Sequence, residues 1–471
     1  MTSTRTDAVA PGAVAALIEQ QAEIFLERQP RSRELIDRAQ CLAGGATSNW
    51  QIAHPQAVWM SHGQGSKVYD VDGMEYSDFH GGYGVSVVGH AHPAIVAAVS
   101  ERVRRGTHFA QPTEEAIDVA EELARRWGLP QWRFANSGTE ATMDLVHLMR
   151  AATGCDLIIK VEGCYHGHHD SVEVSVLPEL EEAGPADAPV GVPGNSGIPR
   201  AIRDLVIVVA FNDLPMVERA LSAYPGQIAG MIVEPVMMNA GIIHPDPGYL
   251  AGLRDLLHAH GALLAFDEVK TGLTVGPAGA TGEYGVTPDL VALAKAIGGG
   301  VATAAIGGTD ELMQLIADGT YEQCGTFNGN PLAMAAARAT LCEVMTQDAY
   351  AHLDRLRTRM ETGIQAVIDQ FALPWHVVTA GAKGCIAFQQ EPIRNMRDFH
   401  GIDGGMGQAH WLVQHNGGVF LPPWGKIEQW LISVQHGDDD VDRFVGNVIR
   451  LAELLRGVDG DQEDRWSNTG S

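Results

Sequence analysis

The chain has 471 residues, 45% hydrophobic and 19% charged, with 54 glycines, which is enough for a large core in roughly two to four lobes. Its formal net charge of −26 repels nucleic acid and anionic lipid, so neither is expected as a partner. The N-terminus MTSTRTDAVAPGAV carries no charged-then-apolar leader, no apolar run is long enough to span a membrane, and the six cysteines form no CxxC pair, so a cytoplasmic protein with reduced thiols is expected.

Apolar positions at helical spacing predict an amphipathic helix over 12–28, followed by a glycine-rich segment at 43–51. Residues 68–79 read as a β-hairpin turning at Asp72-Gly73. From about 90 to 310, short β-branched runs at 157–161, 205–210, 230–234 and 262–267 alternate with helical stretches at 114–126, 139–151, 214–223 and 248–260. That alternation predicts an α/β fold with a mainly parallel sheet covered on both faces. Residues 175–200 are rich in Pro, Gly and Ala, have no period and read as a long loop. After Asn330-Pro331 the pattern is helical to about 371, then gives strands near 384–389 and 430–434 and a last helix over 439–456. The expected division is an N-terminal helix and hairpin segment (1–80), a large cofactor-binding domain (81–330), a C-terminal small domain (331–458) and a polar tail (459–471).

Six segments carry chemistry. Lys295, in an Ala-Lys-Ala-Ile-Gly-Gly-Gly run, follows Asp267 by 28 positions, and each ends an apolar run. An amine and a carboxylate at neighbouring strand ends are what a pyridoxal phosphate enzyme needs: the amine for a Schiff base with the cofactor aldehyde, the carboxylate for the pyridine nitrogen. A solvated lysine at a helix start is the bland alternative. NSGTEAT (136–142) opens a helix, where Ser137, Gly138 and Thr139 can either bind a phosphate or simply cap the helix. EGCYHGHHDS (162–171) places Tyr165 where a ring can stack on a flat ligand. Its cluster His166, His168, His169 and Asp170 also has metal-ligand spacing, against a plain polar loop. VEPVMMNAG (233–241) offers Asn239 as a donor or as a turn residue, and Val269, after Asp267, is either a ring contact or core. Thr326 in GTFNGNP (325–331) is a phosphate donor or part of a turn.

Together with YDVDG (69–73), GHAHP (89–93), Asn212-Asp213, YGVTPDL (284–290) and LAKAIGGG (293–300), these segments resemble, in order and over roughly residues 30–455, the class III aminotransferases. These are fold type I pyridoxal phosphate enzymes, and within them the chain is most similar to the glutamate-1-semialdehyde aminomutase group. The resemblance implies a large domain with a mainly parallel sheet and a smaller α+β domain formed by N- and C-terminal segments. It implies pyridoxal 5'-phosphate as cofactor, with Lys295 as Schiff-base lysine and proton shuttle and Asp267 on the pyridine nitrogen. Ser137, Gly138 and Thr139 would lie at the phosphate, Tyr165 and Val269 on the ring faces, and Asn239 at the O3′ oxygen. It further implies a homodimer with shared active sites, to which Thr326 of the partner subunit contributes.

The substrate side departs from that group. Its members carry an arginine for the substrate carboxylate in the glycine-rich N-terminal segment, where this chain has Gln51. A neutral amide cannot replace a bidentate guanidinium. Tyr83 stands where the group has tryptophan, and Glu428 is the match for its C-terminal glutamate. Trp50, Tyr83 and Trp424 are expected to form a flat apolar pocket mouth, unless Trp50 packs under the N-terminal helix. The expected reaction is aminotransfer by ping-pong chemistry from an amine donor to a carbonyl acceptor, both small molecules, with a bulky, aromatic or β/ω-amino substrate. The alternatives are an intramolecular aminomutase or an amino-acid racemase on the same fold, and a metal-dependent hydrolase built on the His166–Asp170 cluster. No metal is expected.

Overall fold

The computed structural model describes residues 12–423, 426–427 and 429–457. Its centre is a seven-stranded sheet in the order Gln131–Ala135, Ala304–Gly308, Leu290–Leu293, Leu263–Asp267, Ile228–Val233, Leu157–Val161 and Val206–Val209. Ala304–Gly308 runs antiparallel to both its neighbours, and the other pairings are parallel. Strands of a parallel sheet are buried on both faces, which is why these segments read as unbroken apolar runs. Alternate residues feed two separate cores. Ile158, Ile232, Ala265 and Ala292 enter one, and Ile159, Met231, Leu264 and Val291 enter the other. Because the strands share one direction, the residues following 135, 161, 233, 267 and 293 all emerge at one sheet edge.

The two chain ends meet. The helix Ala13–Glu27 packs on Gly404–Asn416, with the Phe25 ring 5.5 Å from Trp411 and 4.8 Å from His415. The short strand Val419–Phe420 pairs in parallel with Glu75–Asp78 of the hairpin. A second small sheet, antiparallel, joins His376–Ala380, Lys383–Ala387 and Gln429–Leu431. No helix among the described residues is long and apolar enough to cross a membrane.

Two features differ from the expectation. The helix after Pro331 is not continuous: Pro331–Ala339 passes through a π-helical turn at Thr340–Val344 before a new helix, Gln347–Phe371, begins. The Thr340 hydroxyl donates to the Ala336 carbonyl (2.9 Å), and Arg126 donates to the carbonyls of Leu341 and Met345 (2.7 and 3.0 Å), so side chains take over helix acceptors there. The helix Gly404–Asn416 has no counterpart in the predicted elements. Nine of its residues are buried, His410, Gln414 and His415 among them, so no polar face marks its period.

Candidate active site

Asp267 is the last residue of the central strand Leu263–Asp267, and Lys295 stands two residues beyond the neighbouring strand Leu290–Leu293. Both line a cavity of about 850 Å3 at the shared sheet edge. Lys295 has a positive φ of 48°, a conformation costly for a residue with a side chain and one that clusters at functional positions. Burial pushes its ammonium below the ordinary lysine range, while Asp267 and Glu234 pull it part of the way back. An amine so placed is closer to the neutral, nucleophilic form than a surface lysine. The glycines after it allow the sharp return. Gly299 has φ 56°, and a Cβ there would meet the Thr340 hydroxyl at 2.3 Å.

Asp267 accepts from the Val269 N–H (2.9 Å) through Oδ1 and pairs through Oδ2 with His166 Nδ1 (2.7 Å). His166 is buried, and its Nε2 has no partner among the described residues. The histidine cluster therefore divides. His166 orients the carboxylate, His168 is exposed and faces the Thr139 hydroxyl (3.3 Å), and His169 lies 3.4 Å from the Thr142 hydroxyl. Among the described residues no three His, Cys, Asp or Glu side chains converge as a metal site.

The helix Gly138–Thr153 points its N-terminus into the same cavity. Ser137 caps it, accepting from the Glu140 N–H (3.2 Å), and Glu140 accepts in return from the Ser137 N–H (3.1 Å). The N–H groups of Gly138 and Thr139 remain free among the described residues, at the positive end of the helix dipole. The cap and an anion site are thus compatible: the hydroxyl serves the cap and the N–H groups stay open.

Glu234, which the sequence reading passed over, organises the next edge. It accepts from the N–H groups of Tyr165 and Met238 (both 2.8 Å) and from Asn239 Nδ2 (2.9 Å). Lys270 Nζ donates to Asn239 Oδ1 and to the Met238 carbonyl, both at 2.9 Å. Burial first, then the like charge of Lys295, lower Lys270 to about 7. Glu268 faces away from the cavity into the core, where Trp127, Thr271, Ala280 and Thr281 donate to it.

A second cavity of about 730 Å3 adjoins the first and shares Trp50, Tyr165, Glu173, Asn239 and Lys270 with it. Trp50 does not pack under the N-terminal helix. Its ring lies 5.1 Å from both Tyr83 and Tyr165, and its carbonyl accepts from the Tyr83 hydroxyl (2.6 Å). Gln51 is exposed and accepts from Thr47 in its own turn. Residues of the 175–200 loop form the outer wall. That loop has no helix or strand before Arg200, but it is tied down, Ser175 donating to Val192 O and Arg397 to Gly184 O (2.8 Å). Thr326 is exposed and lines neither cavity; its carbonyl accepts from His108 (2.7 Å). Glu428, Trp424 and the 459–471 tail lie outside the described residues.

Residues 50–440 match the family described as Aminotransferase class-III. A glutamate-1-semialdehyde 2,1-aminomutase 2 of Brevibacillus brevis is 38% identical over 390 residues, 82% of this chain and 89% of that protein. A solved glutamate-1-semialdehyde aminomutase variant from Pseudomonas aeruginosa PAO1, in complex with PMP, superposes with a TM-score of 0.86 at 32% identity, covering 94% of this chain and 99% of that one. An omega-transaminase from Sphaerobacter thermophilus gives a TM-score of 0.85, also at 32% identity, over 90% and 98% of the two chains.

Proposed function

Because the chain belongs to the class III aminotransferase family, and is thus a pyridoxal phosphate-dependent enzyme of fold type I, we propose that it moves an amino group from an amine or amino acid to a separate carbonyl acceptor. The residues present fit the cofactor. Two free N–H groups at a helix N-terminus suit its phosphate, the strand-end carboxylate of Asp267 suits its ring nitrogen, and the lysine with a depressed pKa suits its aldehyde. Gly138 and Thr139 would hold the phosphate, Asp267 the pyridine nitrogen and Lys295 the aldehyde carbon. Tyr165 and Val269 would flank the ring. Asn239 would reach the O3′ oxygen with its second amide N–H, since Glu234 takes the first. Bound there, pyridoxal phosphate supplies a sink for the electrons left on the amine-bearing carbon.

The chain's own residues do the rest. His166 fixes the orientation of Asp267, so the carboxylate is preorganised before substrate arrives. Lys295 Nζ takes the proton from the amine-bearing carbon of the donor and, in the return half, gives one back to the carbonyl carbon of the acceptor. Trp50, Tyr83 and Tyr165 keep water from that carbon and offer aromatic surface to the substrate.

The observation that carries the choice of a bulky or aromatic, or β/ω-amino, substrate is this three-ring wall, with Gln51 turned out to solvent. The aminomutase reading draws its support from the relatives described as glutamate-1-semialdehyde aminomutases, and the racemase reading rests on the shared fold alone. Both close the cycle on one molecule, and the charged carboxylate contact of the N-terminal segment is missing from this chain. A half-reaction screen tests the reading: the cofactor absorbance of the loaded enzyme is followed with a panel of α-, β- and ω-amines. Aromatic and other bulky donors are expected to react fastest, and a strict preference for small dicarboxylic α-amino acids would sink the proposal.

The dimer belongs to the same proposal. Thr326 lies outside its own chain's cavities, where a residue lent to a partner's site has to be. Phe327 beside it, and Val96, Val103, Phe109 and Ile117 on the neighbouring helices and loop, are each about half exposed. The same holds for the domain limits near 80 and 330. The shared sheet of hairpin and C-terminal strand supports joining both chain ends in the smaller domain.

A further inference from the structure

Lys383 has no part in the site as described, yet it is among the most enclosed charges in the chain, 1% exposed in the strand Lys383–Ala387. A lysine buried that deeply ordinarily has acceptors around its ammonium, because an unpaired cation is costly to desolvate. Two other enclosed lysines follow the rule, while Lys295, the Schiff-base candidate, likewise has no side-chain acceptor among the described residues. Lys160 donates to the carbonyls of Val161 and Cys164 (3.2 and 2.8 Å), and Lys270 to Met238 and Asn239. Among the described residues the Lys383 ammonium has no hydrogen bond and no ion pair, although its backbone is paired in the sheet. It lines the second cavity. A Cβ placed on Gly84 would lie 3.9 Å from Lys383 Nζ and 3.7 Å from Lys295 Cδ, so the two side chains approach one point from different elements.

We propose that Lys383 is the anchor for a substrate carboxylate received in the second cavity, supplying the charged contact that Gln51 does not make. This rests on the amino-transfer reading and narrows its substrate class. With the anchor so near Lys295, the carboxylate sits one or two carbons from the amine-bearing carbon, as in an α- or β-amino acid, and not at the far end of a long chain. The apolar body of that substrate lies against Trp50, Tyr83, Leu177, Phe399 and Ile427. Burial, then Lys270 and Lys295, hold the Lys383 ammonium well below its ordinary range; among the described residues the Cys385 thiol acts the other way, and His80 also faces it. The arriving carboxylate is the counter-charge that the Lys383 ammonium lacks among the described residues.

The test is calorimetry on the cofactor-loaded enzyme with phenylpropionate, which has no amine and cannot react, against its uncharged amide. The wild type is expected to bind the acid about tenfold or more tightly than the amide. Lys383→Met, close in volume, should lose that preference while holding its affinity for the amide. Wild-type preference for the amide, no binding of the acid, or a Lys383→Met enzyme that still favours the acid would each overturn the proposal. Should the variant not fold, the wild-type comparison alone decides. A failed donor screen with intact acid binding would refute amino transfer and leave the anchor standing.

Discussion

A Cβ on Gly138 would lie 2.9 Å from Cγ1 of Val269, so the first residue of the phosphate-facing helix and the residue after the Asp267 turn are packed to the limit. Gly138→Ala must push Val269, or the helix N-terminus, away from the position that suits the cofactor. The variant should fold and lose cofactor about tenfold more readily, which dialysis against a phosphate series would read; unchanged retention would show that this packing is not part of the cradle. At this scale much was legible in the sequence. Lys295 and Asp267 stood out because each ends an apolar run, and strand ends share an edge in a parallel sheet. His166 was left open between a metal ligand and a residue of a polar loop, since HxHHD spacing allows a metal while only the fold reveals that one member reaches Asp267, 101 residues away. Its position just past the strand Leu157–Val161 was the available signal. Glu234 carried the same signal as Asp267, since it ends the apolar run 230–234, and was passed over; Lys383 gave none, because the charge of a residue does not say whether it is enclosed.

Between elements, the last helix Asp438–Leu455 is fastened to the hairpin by Asp440, which accepts from Lys67 (2.5 Å), Ser77 (2.7 Å) and the Gly437 N–H (2.9 Å). Burial pushes this carboxyl up, but those donors outweigh it and hold it at about 2, against 3.8 for the free group. Its stabilisation is therefore complete above about pH 4 and disappears as the pH falls toward 2, with a size of about 1–2 kcal/mol. Asp440→Asn should lower neutral-pH stability by about that amount and flatten the acid limb of urea denaturation. Equal acid sensitivity in both proteins would place the acid-labile contact elsewhere. Alternating and amphipathic elements were readable from period alone. The helix Gly404–Asn416 was not, because it is enclosed on nearly every side, and the π-helical turn at Thr340–Val344 depends on an arginine more than two hundred residues earlier.

For the whole molecule, the apolar surface around Phe327 and the outward position of Thr326 predict that light scattering gives twice the chain mass. Phe327→Glu should give a monomer with little activity, and a fully active monomer would remove the partner from the site. The loop 175–200, Trp50 and Tyr83 from the N-terminal part, and Phe399, Ile427 and Gln429 from the C-terminal part line the second cavity, so the proposed substrate side is assembled from segments far apart in sequence. The cofactor side, by contrast, rests on one sheet edge. That is why Lys295 and Asp267 could be picked out from local pattern, while Trp50 and Tyr83, also expected together at the pocket mouth, needed the fold to place them against Tyr165.

The central claim, transfer between two molecules, is tested most directly by counting product in a single experiment. Cofactor-loaded enzyme is given an aromatic amino acid donor alone, and then a keto acid is added. One carbonyl product per active site, followed by steady turnover only after the keto acid arrives, is the predicted result. Continuous conversion of the donor alone into an isomer or its mirror image would contradict it.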